Sequence, residues 1–298
     1  MKAKQITAFL MTLTLIFSTA ACGKDGGSDT AVPEYSSEQS TADESDVPGM
    51  SIDSTTEIPV VDDVHVRVEG DTLYISGTGT VERKDLADYN TFVNVVVEEG
   101  ITKIDMNAFQ SFKLESIILP DSLEVIGGYA FRSQNLTSIT LPDNIRRIEG
   151  GAFAENDGLT SITLPKGLEE IGGFVFQDCN NLTSITVFEG IKTTWSGTFA
   201  FCGITSITLP DSLEEIALQT FMGCKNLTSV TLPDNLKRIG QSAFVGCENL
   251  TSITLPESLE EIEPHPFLLC PNLTIKAPKS MEEMLIEANI DLSIVEWY

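Results

Sequence analysis

Five of the six cysteines in this chain of 298 residues fall at one spacing, three residues after a phenylalanine: Cys179, Cys202, Cys224, Cys247 and Cys270. Thiols at a fixed interval could form disulfides, hold a metal or act as nucleophiles, and each use demands its own geometry. Disulfides need Cα atoms within about 4.4–6.8 Å, a distance that adjacent turns of a stacked repeat, ~5 Å apart, would supply. Yet the same slot holds Phe112, Gln134 and Asn156 earlier in the chain, and an odd number leaves one thiol over. A line of sulfurs is also not the tetrahedral cluster that zinc takes. The expectation is free, buried thiols that pack as small hydrophobes, with no metal and no cofactor. A nucleophile needs a base, and the two histidines, His65 and His265, stand at opposite ends of the patterned region. Only His265 lies near one of these cysteines, Cys270. No catalytic residue is expected, and the chain reads as a non-enzyme.

Carboxylates and hydroxyls supply the remaining chemistry. The chain carries 44 acidic and 18 basic residues, a formal charge of −26, which argues against phosphate-backbone binding because that needs Lys and Arg. Nucleic acid is therefore not an expected partner, and the acidity reads as a solubilising surface. Acids recur at one position, as Asp121, Asp143, Asp211, Asp234 and Glu257. Calcium takes oxygen ligands, but its loops need varied ligands at tight spacing, so a solvated rim is the reading. Asn-Leu-Thr tripeptides at Asn135, Asn181, Asn226, Asn249 and Asn272 match a glycosylation acceptor. They recur as repeat consensus, where Asn serves a turn.

These residues share one beat because the sequence repeats. Over residues 98–278 a phrase returns every 22 or 23 residues, L-T-S-I-T-L-P-D-S-L-E-E-I-G-x-x-A-F in its cleanest form. A proline marks it at Pro120, Pro142, Pro165, Pro210, Pro233, Pro256 and Pro278, with Glu98 and Phe188 in that slot in two variant copies. A phenylalanine keeps the same period at Phe109, Phe131, Phe153, Phe176, Phe199, Phe221, Phe244 and Phe267. A period of roughly 20–29 residues with L-x-x-I-x-L at its centre predicts a leucine-rich-repeat solenoid. The fold class is a mainly β stack in which each coil buries its apolar side against its neighbours. Residues 136–141 read as a strand with Ile139 and Leu141 inward and Ser138 and Thr140 outward. Stacking predicts a parallel sheet whose outer face is a ladder of hydroxyls, including Ser184/Thr186 and Ser206/Thr208. Ile145, Ile148 and Phe153 then turn back into the core.

Both ends of such a stack need lids. Residues 64–91 form the expected N-terminal β cap, where alternation around Gly70-Asp71 predicts a hairpin. The repeats occupy 92–278, and 279–298 form a C-terminal helix-strand cap. There Met281, Met284, Leu285 and Ala288 have helical spacing, with Ser280 as N-cap, before a short strand over 290–297. Residues 22–63 are an acidic tether, too poor in apolar residues to offset their ordering entropy. Residues 1–21 are an export signal: Lys2 and Lys4 precede an uncharged apolar stretch over 6–17.

Ser18, Thr19, Ala20 and Ala21 lead into Cys22 in a pattern that resembles the lipobox of bacterial lipoproteins, with Thr19 where that family usually has Leu. The resemblance implies lipidation of Cys22 and a membrane-anchored lipoprotein at the bacterial cell surface, since two acyl chains suffice for stable attachment. An ordinary cleaved signal with an incidental cysteine is the alternative. The spacing P-x-x-L-x-x-I-x-x-x-A-F between Pro142 and Phe153 resembles the BspA-like leucine-rich repeats of bacterial surface proteins. So does the G-D-T-L-Y-I-S-G-T-G of the cap. This second resemblance covers about residues 64–298 and implies a surface or adhesion-type protein with few defined ligands.

One copy departs from the pattern. Phe188 takes the proline slot, Thr194 stands where Ile171 and Ile216 are apolar, and Trp195 falls on a glycine slot. Exposed, Phe188 and Trp195 would anchor a partner; buried, Trp195 would fill space beside Thr194. With Ser184, Thr186 and Thr208 they make the candidate binding residues. Val96 and Ile118 are apolar where later strands carry Thr, and are expected under the cap; uncovered, they would extend a binding face. The expected function is a lipid-anchored cell-surface protein that mediates protein–protein interaction or adhesion. A carbohydrate- or cell-wall-binding module is the alternative, and an enzyme ranks third. The expected partners are a protein or glycan ligand, and the membrane through the N-terminal lipid.

Overall fold

The computed structural model describes residues 63–298. The export signal, Cys22 and the tether before Asp63 lie outside the described residues. From Asn94 onward each coil has three sides, two of them joined to their neighbours by parallel β-ladders and the third by bonds outside any strand.

On the first side the T-S-I-T phrase forms short parallel strands at Ser161–Thr163, Ser184–Thr186, Ser206–Thr208, Ser229–Thr231 and Ser252–Thr254. Asn94–Val97 and Ser116–Ile118 precede them and Thr274–Ala277 follows. The register pairs like with like: Ser206 with Ser229, Ile207 with Val230, Thr208 with Thr231. Period-two alternation buries Ile162, Ile207 and Ile253 and turns the Ser and Thr beside them to solvent. Proline then ends the strand, because it has no N–H to donate.

The second side is a ladder of two-residue strands, Val125–Ile126, Arg147–Ile148, Glu170–Ile171, Glu215–Ile216, Arg238–Ile239 and Glu261–Ile262. Its isoleucines are buried and its charged residues pair across coils. Arg146 meets Glu169 at 2.8 Å and Arg147 meets Glu170 at 2.8 Å. Arg238 contacts Glu215, Glu261 and Glu263. Exposed pairs of this kind contribute about 0–1 kcal/mol each, so they mainly match charge rather than hold the stack.

The third side carries the phenylalanines, whose rings stack face to face from Phe109 to Phe267 at 5.2–5.9 Å between centroids. No strand forms here, because residues two before and two after the phenylalanine are left-handed: Tyr129 (φ 55°) and Ser133 (φ 56°), then Phe174 (φ 59°) and Asp178 (φ 59°). For a residue with a Cβ that conformation costs on the order of 1–2 kcal/mol. It aims alternate N–H groups at the next coil. Phe174, Phe176 and Asp178 donate to the carbonyls of Ser196, Thr198 and Ala200 at 2.9, 2.9 and 3.0 Å. The same triplet recurs from Tyr129, Gly151, Gly197 and Gln219. Where an aromatic occupies the first or last left-handed slot, the next coil answers with glycine: a Cβ on Gly151, Gly197 or Gly223 would collide with the ring of Tyr129, Phe174 or Phe201.

Asp63–Glu69 and Thr72–Val81 form the N-terminal antiparallel hairpin, turning at Gly70 (φ 63°). Thr72–Val81 also pairs in parallel with Asn94–Val97 and, after a register shift at Gly79/Thr80, with Ile101–Ile104. It is therefore itself the first coil, and Asp63–Glu69 alone is the flap added to it. At the other end the helix spans Glu282–Glu287 and Val295–Trp297 pairs in parallel with Thr274–Ala277.

Two local expectations fail. Residues 136–141 keep the inward and outward alternation but form no ladder strand. Alternation sets which side chains turn in, whereas ladder bonds need the neighbouring backbone at ~4.8 Å. Nor does Ser280 cap the C-terminal helix, because it lies inside a 3-10 turn, Lys279–Met281, that leads into it.

Candidate functional site

The hydroxyl face offers the broadest regular surface. Ser184, Thr186 and Thr208 are exposed and line one open groove of about 730 Å³, with Glu189 and Asp211 at its edge. A similar groove of about 650 Å³ lies over Ser229, Thr231, Ser252 and Thr254, closed at one end by Tyr298. The corner acids Asp121, Asp143, Asp211, Asp234 and Glu257 have no ion-pair partner among the described residues. One flank of the hydroxyl face thus carries unpaired negative charge, while on the second side of the coil many of the acids are paired across coils.

Phe188 and Trp195 do not join that groove. Phe188 is half-buried at the proline corner, with Lys166 Nζ 5.5 Å from its ring centroid. Trp195 is half-buried against the core, at the corner between the second and third sides. Its carbonyl accepts from Thr198 Oγ1 at 2.7 Å. Thr194, buried in the isoleucine slot, satisfies its hydroxyl with the Ala217 N–H and Thr220 Oγ1, both at 2.9 Å. Sequence pattern marked these residues as unusual, but it could not say that the aromatics sit at two successive corners with the second side between them.

Ile118 is not covered by the cap, and Val96 beside it is half-buried. Register aligns Tyr74 with Val96 and Val96 with Ile118 across three strands. All three turn to the hydroxyl face, and Ile118 is 63% exposed. At the end of this row the Arg67 guanidinium stands 4.0 Å from the Tyr74 ring centroid. Asp63–Glu69 pairs edge to edge with Thr72–Val81 rather than lying over its face, which is why the row stays open. Tyr74 and Arg67 were missed because a hairpin assigned to capping was not also read as a surface.

The five cysteines are free and buried. Each thiol lies within hydrogen-bond reach of the phenylalanine carbonyl one coil back: Cys179 to Phe153 at 3.2 Å, Cys202 to Phe176 at 3.0 Å, Cys224 to Phe199 at 3.1 Å. Cys247 and Cys270 repeat it with Phe221 and Phe244. In earlier coils Asn156 Nδ2 donates to Phe131 at 2.7 Å and Gln134 Nε2 to Phe109 at 3.3 Å. From Gln134 onward the slot therefore holds a donor, with Phe112 packing its ring on Phe109 in the coil before, and packing as a small hydrophobe is only half of the cysteines' role. Burial pushes the Cys179 and Cys224 thiols up to about 12 and raises Cys202 well above the ordinary thiol range. Such thiols are poor nucleophiles at neutral pH. Groups of three or more metal-ligating side chains do not occur among the described residues.

Comparison with known proteins gives one family. The BspA type leucine-rich repeat region matches residues 83–203 and 192–288, in six copies. No curated protein matches the chain. Among solved structures, a leucine-rich cell surface protein from Faecalibacterium prausnitzii is 20% identical at a TM-score of 0.38, over 79% of this chain and 95% of that one. A leucine-rich repeat protein from T. pallidum is 24% identical at a TM-score of 0.43, over 63% and 87%. Another from Bacteroides ovatus is 20% identical at a TM-score of 0.39, over 80% and 99%.

Proposed function

The chain belongs to the BspA-type leucine-rich-repeat family, and from that premise we propose that it is an exported, lipid-anchored surface protein that binds another protein through its hydroxyl face. The uncovered row Tyr74–Val96–Ile118 on that face carries the reading. Aromatic and arginine side chains dominate interface energetics, and Arg67 and Tyr74 sit together at the end of an aliphatic strip. Hydroxyl rows beyond the strip supply hydrogen-bonding groups along the face. The cell-surface description of a structural relative agrees with export. Cys22 is the proposed lipidation site.

Binding of the mature chain to a panel of extracellular matrix proteins and bacterial glycans tests this reading. Saturable protein binding lost in Ile118→Asp and kept in Trp195→Ala supports it. Protein binding that ignores Ile118→Asp would overturn the choice of face. Selective retention on a polysaccharide would instead favour the carbohydrate-binding reading, which the two open hydroxyl grooves support.

A further inference from the structure

The coils are not equally joined. At most steps the first and second sides are both laddered. Around residues 136–141 the first ladder lapses, but the second runs on from Val125–Ile126 through Arg147–Ile148 to Glu170–Ile171. At one step both lapse together. Ser184–Thr186 pairs back to Ser161–Thr163 but not forward to Ser206–Thr208. On the second side Glu170–Ile171 ends its sheet, and the next sheet begins with Glu215–Ile216 and the bridge Thr193–Glu215. The N–H in the Trp195 slot normally donates to the preceding coil, as Glu149, Gly172 and Gly240 do at 2.7–2.8 Å. Trp195 N–H makes no such bond to Ile171.

Three further observations coincide at this step. The ring pair that spans it, Phe176–Phe199, is the widest in the column at 5.9 Å. An apolar void of about 20 Å³ opens between the two coils, with Leu164, Ile171 and Val187 on one side and Ile191, Leu209 and Leu213 on the other. It has room for about one water, and Thr194 and Thr198, which also line it, turn no polar surface into it to hold one. Finally, the coil after the gap is built like the first coil of the repeats. Glu99 accepts from Asp121 N and Ser122 N at 2.9 and 3.0 Å, while Gly100 N donates to Ser122 Oγ at 3.0 Å. Ninety residues on, Glu189 accepts from Asp211 N and Ser212 N at 3.1 and 2.9 Å, and Gly190 N donates to Ser212 Oγ at 2.9 Å. Both clasps grip the following coil; Gly100 also accepts from the Gly79 N–H of the preceding coil at 3.1 Å, a bond with no counterpart at Gly190 among the described residues.

We propose that the solenoid is two blocks meeting at a seam between Thr186 and Thr194, and that the third side is the hinge about which they splay. Across the seam the bonds are confined to the third side and the corner that follows it: the three N–H donors of Phe174, Phe176 and Asp178, the Cys202 thiol on Phe176, Thr198 Oγ1 on the Gly172 carbonyl at 3.5 Å and the Gly203 N–H on the Cys179 carbonyl at 3.4 Å. Opening would part the hydroxyl face where Ser184, Thr186 and Thr208 line its groove, so the curvature of that face is adjustable at one place. Packed cores change between discrete arrangements rather than bending continuously, and a dry void at a half-bonded step is where such a change costs least.

Spin labels on the mature chain test the hinge without any ligand. One pair, Thr163→Cys with Thr208→Cys, spans two steps including the seam. The control, Thr208→Cys with Thr254→Cys, spans two steps wholly within the later block. The buried native thiols stay unlabelled, which the parent chain checks. A distance distribution roughly twice as broad across the seam supports the hinge. So does its narrowing in Thr194→Ile/Trp195→Gly, which restores the regular coil. Equal widths for the two pairs in a folded protein would overturn it.

Discussion

The third side and the first side of each coil solve the stacking problem in opposite ways. The phenylalanine side has no regular strand and bears two left-handed residues per coil, yet its bonds run unbroken from Tyr129 to Gly223. The hydroxyl side has the regular strand sequence, yet its ladder lapses at residues 136–141 and again after Thr186. Cohesion follows redundancy rather than regularity. Three N–H donors, a ring stack and a side-chain donor all act on the third side, so no single lapse opens it. On the first side each coil depends on a three-residue ladder, and that side is free to become a surface.

Phe176→Ala should test this difference most severely. It removes a buried ring between Phe153 and Phe199 and should cost about 3–5 kcal/mol, read as a fall in the urea midpoint. The seam makes this position the one where a lost ring has least support. Cys224→Ala is the next step down. The Phe199 carbonyl would keep only the Cys202 amide, at 3.2 Å, and about 1 kcal/mol of stability should go. In the parent chain the five slot thiols should stay unreactive to a thiol reagent until the protein unfolds, because all five are buried out of a reagent's reach.

Asn156 sharpens the comparison in the opposite direction. Its Nδ2 donates as the thiols do, but its Oδ1 is buried without a partner. A thiol carries no such second polar atom, so Asn156→Cys should raise stability by about 1 kcal/mol in the same denaturation assay.

Acid should loosen the corner clasps. Glu99 and Glu189 lie below the ordinary carboxylate range, Glu99 chiefly through the Asp121 amide and Glu189 chiefly through the Ser212 amide. A carboxylate lowered by folding contributes fully above its unfolded pKa, about 4.3. That contribution fades as pH falls through the folded value. The urea midpoint should therefore drop on acidification below that point, and Glu189→Gln should flatten the drop. Smallest of all, Thr208→Ala should change stability by less than about 0.5 kcal/mol, because its hydroxyl faces solvent. A larger loss would show that the hydroxyl side holds the stack after all.

The period in the chain was enough to determine the solenoid, its parallel strands, the inward isoleucines and the phenylalanine column. All of these depend only on which residues recur at 22 or 23 positions and which alternate within a strand. The slot of the cysteines was legible too, but not their role as donors. That role depends on a carbonyl 25 or 26 residues earlier in the chain, brought near only by coiling. The same holds for Val96 and Ile118. Their apolar character was plain, but whether the hairpin covers or flanks them is decided by where Asp63–Glu69 pairs. The seam lay further still from sequence reach. Phe188, Thr194 and Trp195 announced a different coil, yet a ladder bond forms or fails over a few tenths of an ångström. That distance is set by corners and packing in two neighbouring coils at once, so only the tertiary structure fixed where the stack comes apart.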